Sequence, residues 1–380
     1  MNFGFSEAQE MLRESARKFL DAECPPTFVR KMMEHESGHS TDLWKKLAEL
    51  GWLGLLIPRR FGGSGGNLLD AAVILEETGK TLLPGPFFST VLLGGVAISL
   101  GGSAAQRAKL LPRIADGSAL VTVALLEPSG GIDAAGIELS ARRRRGDFVL
   151  SGEKLFVPDA LTADWIVVAA RSAPARRNPQ RGITLFLVER GAPGLSIAAL
   201  KTVDMTRRLA HVSLDRVLVA PQHVLGRVGE GWAILARLLR AAIAGLCVET
   251  VGAAQRALDL SVRYALERRQ FGRPIGSFQA VKHKCVDMMM AVENARSLSY
   301  YAVWAAAGRK RDAAAAVAMA KALTSDVGKN VTAAAIQVHG GIGFTWEHDV
   351  HLYYRRALAN EAAFGSAPVH REAVARHLDL

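Results

Sequence analysis

The residues best suited to chemistry lie between Arg263 and His283, in the run Arg-Tyr-Ala-Leu-Glu-Arg-Arg-Gln-Phe-Gly-Arg-Pro-Ile-Gly-Ser-Phe-Gln-Ala-Val-Lys-His. An apolar-periodic helix starting near Trp232 ends there in two adjacent arginines, Arg268 and Arg269. A Gly-Arg-Pro-Ile-Gly turn follows, and a new helix opens at Ser277. Guanidinium groups pair bidentately with phosphate oxygens, and a glycine turn lets backbone approach a ligand closely. Phe271 adds an aromatic ring beside them. The set suits a cofactor with phosphates and a flat heterocycle. An ordinary helix hairpin would use the same residues, so the rest of the chain has to decide.

Three segments position this hairpin. Residues 1–117 carry helical periodicity, beginning with a capping-box pattern, Ser6-Glu-Ala-Gln9, ahead of an amphipathic run to Leu20. Pro25-Pro26 breaks that run, and Thr41-Asp-Leu-Trp starts another helix. A Gly-rich loop from Pro58 to Gly66 precedes a helix over 68–79, and Leu83-Pro-Gly-Pro86 precedes one over 87–100. Residues 118–227 change character. Short β-rich runs at 120–126, 137–141, 148–151, 165–170, 183–188 and 211–219 are separated by Gly, Pro and Asp, which predicts a small all-β domain. Residues 228–380 return to helical periodicity, with long segments near 232–268, 277–308 and 311–339. The fold class is α+β, with helices, then a β domain, then a helical bundle.

Composition sets limits. A chain of 380 residues with 49% apolar content can bury a large core in two or three domains. It shows no run of 18 apolar residues, so no membrane span is expected. Met-Asn-Phe-Gly-Phe-Ser-Glu at the start lacks the charged and apolar regions of a signal peptide. Three distant cysteines, Cys24, Cys247 and Cys285, have no metal spacing, and a reducing cytoplasm is the expected home. His339, His348 and His351 read as core or loop histidines, and no metal is expected. The formal net charge of +11 raises nucleic acid as a partner, but the charge is dispersed except at Arg142–Arg145. That run reads as a solvated hairpin tip, or as an attractor for an anionic substrate. No nucleic-acid partner is expected.

The hairpin resembles the FAD-contacting hairpin of the acyl-CoA dehydrogenase family. Four further motifs stand in that family's order: Leu47–Pro58 leading to Phe61-Gly62-Gly63, Glu127-Pro128 with its Gly-rich tail, Gly152-Glu-Lys-Leu-Phe156, and Gln337-Val-His-Gly-Gly-Ile-Gly-Phe344. Together they span nearly the whole chain. The resemblance implies an N-terminal helical domain, a middle β-barrel and a C-terminal four-helix bundle. It implies FAD-dependent α,β-dehydrogenation of an acyl-CoA thioester, serving fatty-acid or sterol side-chain β-oxidation. An electron-transfer flavoprotein is the expected electron acceptor.

That reaction needs a carboxylate against the acyl Cα in a water-poor pocket. The resemblance places the commonest base at a Glu before Gly-Thr, and Phe364 stands there, followed by Gly365 and Ser366. A second family position falls on Ala242. Glu249, two helical turns further on, sits among Leu246, Cys247, Val248, Val251 and Gly252 and is expected to be buried. It is either the base or a structural carboxylate bonded to an arginine. Glu361, one turn before Phe364, is a third candidate for the base, with pairing to Arg355 or Arg356 on a helix surface as the preferred reading. Ala and Gly at 241, 242, 244 and 245 suggest a roomy acyl pocket.

The resemblance also divides the flavin contacts between two chains. Contacts made by a neighbouring chain toward the diphosphate and adenosine are kept: Arg268, Gln270, Phe271, Gln279, Gln337, Gly340 and Gly341. On the ring side the family's hydroxyls and donors are replaced by Leu126, Ile132 and Pro158, with Phe156 and Ser366 as further contacts and Ile243 in place of an arginine. Backbone N–H groups at 126 and 132 could still serve, but Pro158 offers neither hydroxyl nor N–H. Two assemblies are therefore open, a homo-oligomeric enzyme or a weak subunit of a heterotetramer that completes a partner's FAD site. A flavin oxidase or monooxygenase on the same scaffold is a third reading.

Overall fold

The computed structural model describes residues 4–175, 177–308 and 310–380. The first three residues of the N-terminal stretch, and Arg176 of the polar loop at 175–182, lie outside them. The N-terminal helices are α1 (Glu7–Glu23), α2 (Pro26–Glu34), α3 (Thr41–Glu49), α4 (Leu68–Thr81), α5 (Val96–Gly101) and α6 (Ala104–Ala115). The capping box at α1 forms as the spacing predicts. Ser6 Oγ accepts from the Gln9 backbone N–H at 3.3 Å, and Gln9 Oε1 accepts from that of Ser6 at 3.1 Å. The helix expected over 87–100 differs. Its first part, Phe88–Gly95, is π-helical, and only the remainder is α5. Such widened turns concentrate at functional sites.

The middle domain is a sheet of eight strands: β1 (Val121–Ala124), β2 (Ser140–Arg144), β3 (Asp147–Pro158), β4 (Trp165–Arg171), β5 (Ile183–Glu189), β6 (Leu195–Ala199), β7 (Leu209–Val219) and β8 (Val224–Leu225). Their order is β6-β7-β3-β2-β4-β5-β8, and β1 pairs with β4. β2 starts three residues later than the apolar run at 137 suggests. The cause is local: the backbone N–H groups of Glu138 and Leu139 donate to the Glu127 carboxylate at 2.9–3.1 Å instead of joining a strand ladder. β6 escapes sequence reading because it is short and mostly exposed, so it lacks an apolar alternation.

The C-terminal part holds α7 (Gly231–Glu267), a two-residue ribbon β9–β10 (Arg269–Gln270 and Arg273–Pro274), α8 (Gln279–Ala307), α9 (Ala313–His339), α10 (Val350–Ala362) and α11 (Ala367–His377). By length and composition α7 could cross a membrane. Here α4, α8, α9 and α10 pack around it, and residues 242–254 are all buried. The small residues of α7 serve this packing. A Cβ on Gly252 would lie 2.0 Å from the Glu76 carbonyl oxygen of α4, and one on Gly79 would lie 2.1 Å from the Glu249 carbonyl oxygen. The two helices thus touch backbone to backbone. Gly245 fills the same purpose against Leu75 and Leu92, so its size reflects helix packing rather than the roomy pocket expected from the sequence.

Gly252→Ala is expected to lower unfolding free energy by about 3 kcal/mol or more, at the top of the overpacking range, because rigid backbone must move. Gly191→Ala, with no atom within 4 Å of the added methyl, should change it by less than about 0.5 kcal/mol. Chemical denaturation of the two variants checks the contrast.

Candidate functional site

Glu249 sits in the middle of α7 and is 1% exposed. Its carboxylate accepts from two guanidinium groups. Arg356 Nη1 of α10 donates at 2.7 Å, and Arg207 Nη2, from the loop before β7, donates to the other oxygen. Arg356 is itself buried, and its Nε donates to Asp204 at 2.7 Å. Asp204 also accepts from the Thr206 backbone N–H at 2.9 Å and from its hydroxyl at 2.6 Å. Burial pushes the Asp204 carboxyl up, but Arg356 and Thr206 more than offset this and hold it below its ordinary value. Arg356 is raised, since Asp204 and Glu249 outweigh its burial. Neither arginine pairs with Glu361, as the sequence suggested. Arg356 turns inward, and Arg355 Nη1 donates to the Val203 carbonyl at 3.2 Å.

This ion cluster forms one wall of a site built from every domain. The Arg207 guanidinium lies 5.1 Å from the Phe88 ring of the π-helical segment. The Phe88 ring centroid is 6.4 Å from that of Phe364. Phe364 follows α10 at φ 55°, a strained backbone for a side chain of that size. A Cβ on Gly365 would lie 2.6 Å from Ile132 Cδ1, so Ile132 closes the turn from the β domain. Lys321 of α9 holds the turn from below, donating to the Asn360 and Glu361 carbonyls at 2.9 Å each. Burial pushes the Lys321 ammonium down to about 8. One carboxyl was missed by sequence reading. Asp159 at the end of β3 is buried, takes a 2.5 Å hydrogen bond from Ser89, and is raised by burial. It directly follows Pro158, and no signal beyond that adjacency pointed to it.

The ring-side positions offer few donors. The Leu126 carbonyl already accepts from the Leu155 N–H at 2.8 Å, and the Pro158 carbonyl accepts from Thr122 Oγ1 at 2.6 Å. Phe156 is half exposed at φ 51°. Ser366 occupies the N-cap position of α11 but makes no capping bond. Glu127 is structural: Lys154 Nζ donates to it at 2.6 Å, both are buried, and burial pulls Lys154 down to about 8 against the pull of Glu127.

The hairpin residues face the other way. Arg268, Gln270, Phe271 and Gln279 are exposed, Phe271 at 90%, and so is Gln337 on α9. Gly340 has φ 62°, and a Cβ on Gly340 or Gly341 would meet nothing within 4 Å. A guanidinium, side-chain amides and bare backbone thus point away from the chain's own core. They fit the charged tail of a dinucleotide. The ring wall does not supply the side-chain donors that a flavin ring would need. His339, His348 and His351 pack against aromatic rings, with His339 stacked on Tyr264 at 4.7 Å and His351 on Trp346 at 4.8 Å. Among the described residues no group of three or more His, Cys, Asp or Glu could hold a metal ion.

Because the folded value of Asp204 lies below its ordinary 3.8, its contribution to stability is present above that pH and lost as pH falls through the folded value. Asp204→Asn should therefore flatten the acid side of the stability curve below about pH 4. Denaturant unfolding measured across pH checks this, and parallel curves for variant and wild type would contradict it.

Models of the acyl-CoA dehydrogenase N-terminal, middle and C-terminal domains match residues 6–118, 122–217 and 229–378. The chain is 35% identical to the acyl-CoA dehydrogenase IpdE2 of Mycolicibacterium smegmatis, over 95% of each chain. It is 31% identical to the NADH-dependent acryloyl-CoA reductase of Anaerotignum propionicum, over 100% of this chain and 96% of that one. The ChsE4–ChsE5 complex of Mycobacterium tuberculosis superposes with a TM-score of 0.91 at 28% identity, covering 100% of this chain and 99% of that one. Domain order and the helix–sheet–helix architecture agree with these matches, and the chain belongs to the acyl-CoA dehydrogenase family, FAD-binding oxidoreductases acting on CH–CH bonds.

Proposed function

We propose that this chain serves FAD-dependent α,β-dehydrogenation of an acyl-CoA thioester as the subunit that completes a flavin site on a second, base-bearing chain. The observation that carries this reading is the state of Glu249. A general base must present an open carboxylate oxygen to the acyl Cα proton. Each oxygen of Glu249 is held by an arginine, Arg207 on one and Arg356 on the other. Phe364 and Ala242 cannot accept a proton, so neither of the two family base positions can act. The solved relative ChsE4–ChsE5 is a complex of two named chains, which supports a two-chain assembly.

The residues of this chain then bind and orient. FAD, when bound, supplies the hydride acceptor. Arg268 and Gln270 would hold its diphosphate by charge-assisted and amide hydrogen bonds, and the Gly340–Gly341 turn would leave room for backbone N–H groups to approach. Phe271, 90% exposed, would shield that tail from water. The substrate is an acyl-CoA, and an electron-transfer flavoprotein is the acceptor that the family suggests. Three free thiols, two of them buried, suit a reducing compartment such as the cytoplasm.

The chain purified alone is expected to be colourless and to gain flavin absorbance only when co-expressed with a base-bearing family member. One tightly held FAD per chain in the isolated protein would contradict the reading. In the assembled enzyme, Glu249→Gln should leave turnover within about threefold of wild type once folding is verified. A loss of about a hundredfold or more, the scale of a lost general base, would make Glu249 the base after all.

A further inference from the structure

Two separate elements carry the groups that suit the charged tail of FAD: the hairpin after α7 and the Gly340–Gly341 turn after α9. A cluster of three rings bridges them. Tyr264 stands near the end of α7, and its carbonyl accepts from the Arg268 N–H at 2.8 Å. His339, the last residue of α9, is buried and stacks on Tyr264 with ring centroids 4.7 Å apart. It also meets His348, at 4.4 Å. The turn Gly340–Phe344 folds back onto His339, since a Cβ on Gly343 would lie 3.0 Å from His339 Cβ. One imidazole therefore touches both the helix end that carries Arg268 and the turn that exposes Gly340 and Gly341.

The hydrogen bonds fix where the protons sit. His339 Nδ1 lies 2.7 Å from the Ala335 carbonyl oxygen. A carbonyl only accepts, so this nitrogen carries the hydrogen. His348 is the opposite case. Its Nδ1 accepts from the Val350 N–H at 3.1 Å, and so must keep a lone pair. Val350 opens α10, and its N–H is one of the first-turn donors with no partner inside the helix. An imidazolium donates from both nitrogens and cannot make this bond. Arg30 of α2 anchors the same corner, donating to the His348 carbonyl at 3.2 Å and to Asp349 at 2.8 Å.

We propose that His339 and His348 are positioning residues, which hold the Arg268 hairpin and the Gly340–Gly341 turn in register only while both rings are neutral, so that the grip on the FAD diphosphate loosens in acid. The link to FAD rests on the reading that these two elements hold its tail. Charging both rings would set two cations 4.4 Å apart and break the bond to Val350. The charged and titratable groups around them are Tyr264 on α7, Arg30 on α2, and Asp349, His351 and Arg355 at the start of α10 and along it. Burial holds His339 below its ordinary value against the bond to Ala335, with His348 adding to the shift. Burial lowers His348 too, against Asp349, with His351 and Arg30 helping. Since both folded values lie below the ordinary 6.5, the contribution is complete above that pH and is lost as pH falls through the folded values.

Hydrogen exchange of the full chain, corrected for intrinsic rates, tests this between about pH 7.5 and about pH 5.5. In wild type, segments 264–275 and 340–350 should lose protection about threefold or more in acid, while the centre of α7 keeps its own. His339→Phe retains a ring against Tyr264, and His348→Gln retains an acceptor for the Val350 N–H. Neither replacement titrates, so the double variant should stay equally protected at both pH values. If the double variant does not fold, His348→Gln alone should remove the change in 340–350. FAD release from the assembled enzyme, followed by flavin fluorescence, should quicken about threefold or more in wild type over the same range and stay level in the variant. Wild-type protection that ignores pH, an acid loss that persists in the variants, or level FAD release in wild type would overturn the proposal. The exchange measurement needs no flavin, so it decides the coupling separately from the flavin content that decides the subunit role.

Discussion

A buried guanidinium needs its charge answered on the spot, and Arg356 organises the molecule around that need. It is 1% exposed, and its two carboxylate partners come from different domains: Asp204 from the loop before β7, and Glu249 from α7. The same loop sends Arg208 to the carbonyls of Met33 at 2.7 Å and His35 at 2.5 Å, at the C-terminal end of α2. Helical N-terminal domain, β domain and C-terminal bundle are therefore joined at residues 204–208. Removing one member of such a cluster leaves an unanswered charge in the interior, which costs far more than an exposed ion pair is worth.

That constraint also sets the chemistry. The cluster sits behind Phe88 and Phe364, where the family keeps its acyl chemistry. Arg207 and Arg356 each hold one oxygen of the Glu249 carboxylate, and the Phe364 ring packs beside Phe88. The exposed hairpin residues Arg268, Gln270 and Gln279 are polar, while the inward-facing residues around Glu249 are apolar or ion-paired. The strained turn at Phe364 places its ring beside Phe88 at the border of this region.

Much of this was legible in the sequence, for physical reasons. The long helices α7, α8 and α9 lie within about two residues of the periodicity reading, because their apolar faces repeat over many turns. Ser6 and Gln9 announce the first helix through a local hydrogen-bond pattern. The burial of Glu249 was visible from its apolar neighbours, but its arginine partners were not, since Arg207 and Arg356 are 42 and 107 residues away. The same holds for Arg356, which looks like a surface residue in sequence and became a core residue through Asp204. Asp159 stayed hidden because its partner Ser89 is 70 residues distant. The small residues of α7 suggested space and instead mark where α4 presses against it.

The interaction between Glu249 and Arg356 can be measured by a double-mutant cycle in unfolding free energy, with Glu249→Leu, Arg356→Met and both together. Each single change should cost about 3–5 kcal/mol, and the double should cost clearly less than their sum, a coupling of several kcal/mol. Additive costs within about 0.5 kcal/mol would show that the two side chains act separately, and the clamp on which this account stands would be absent.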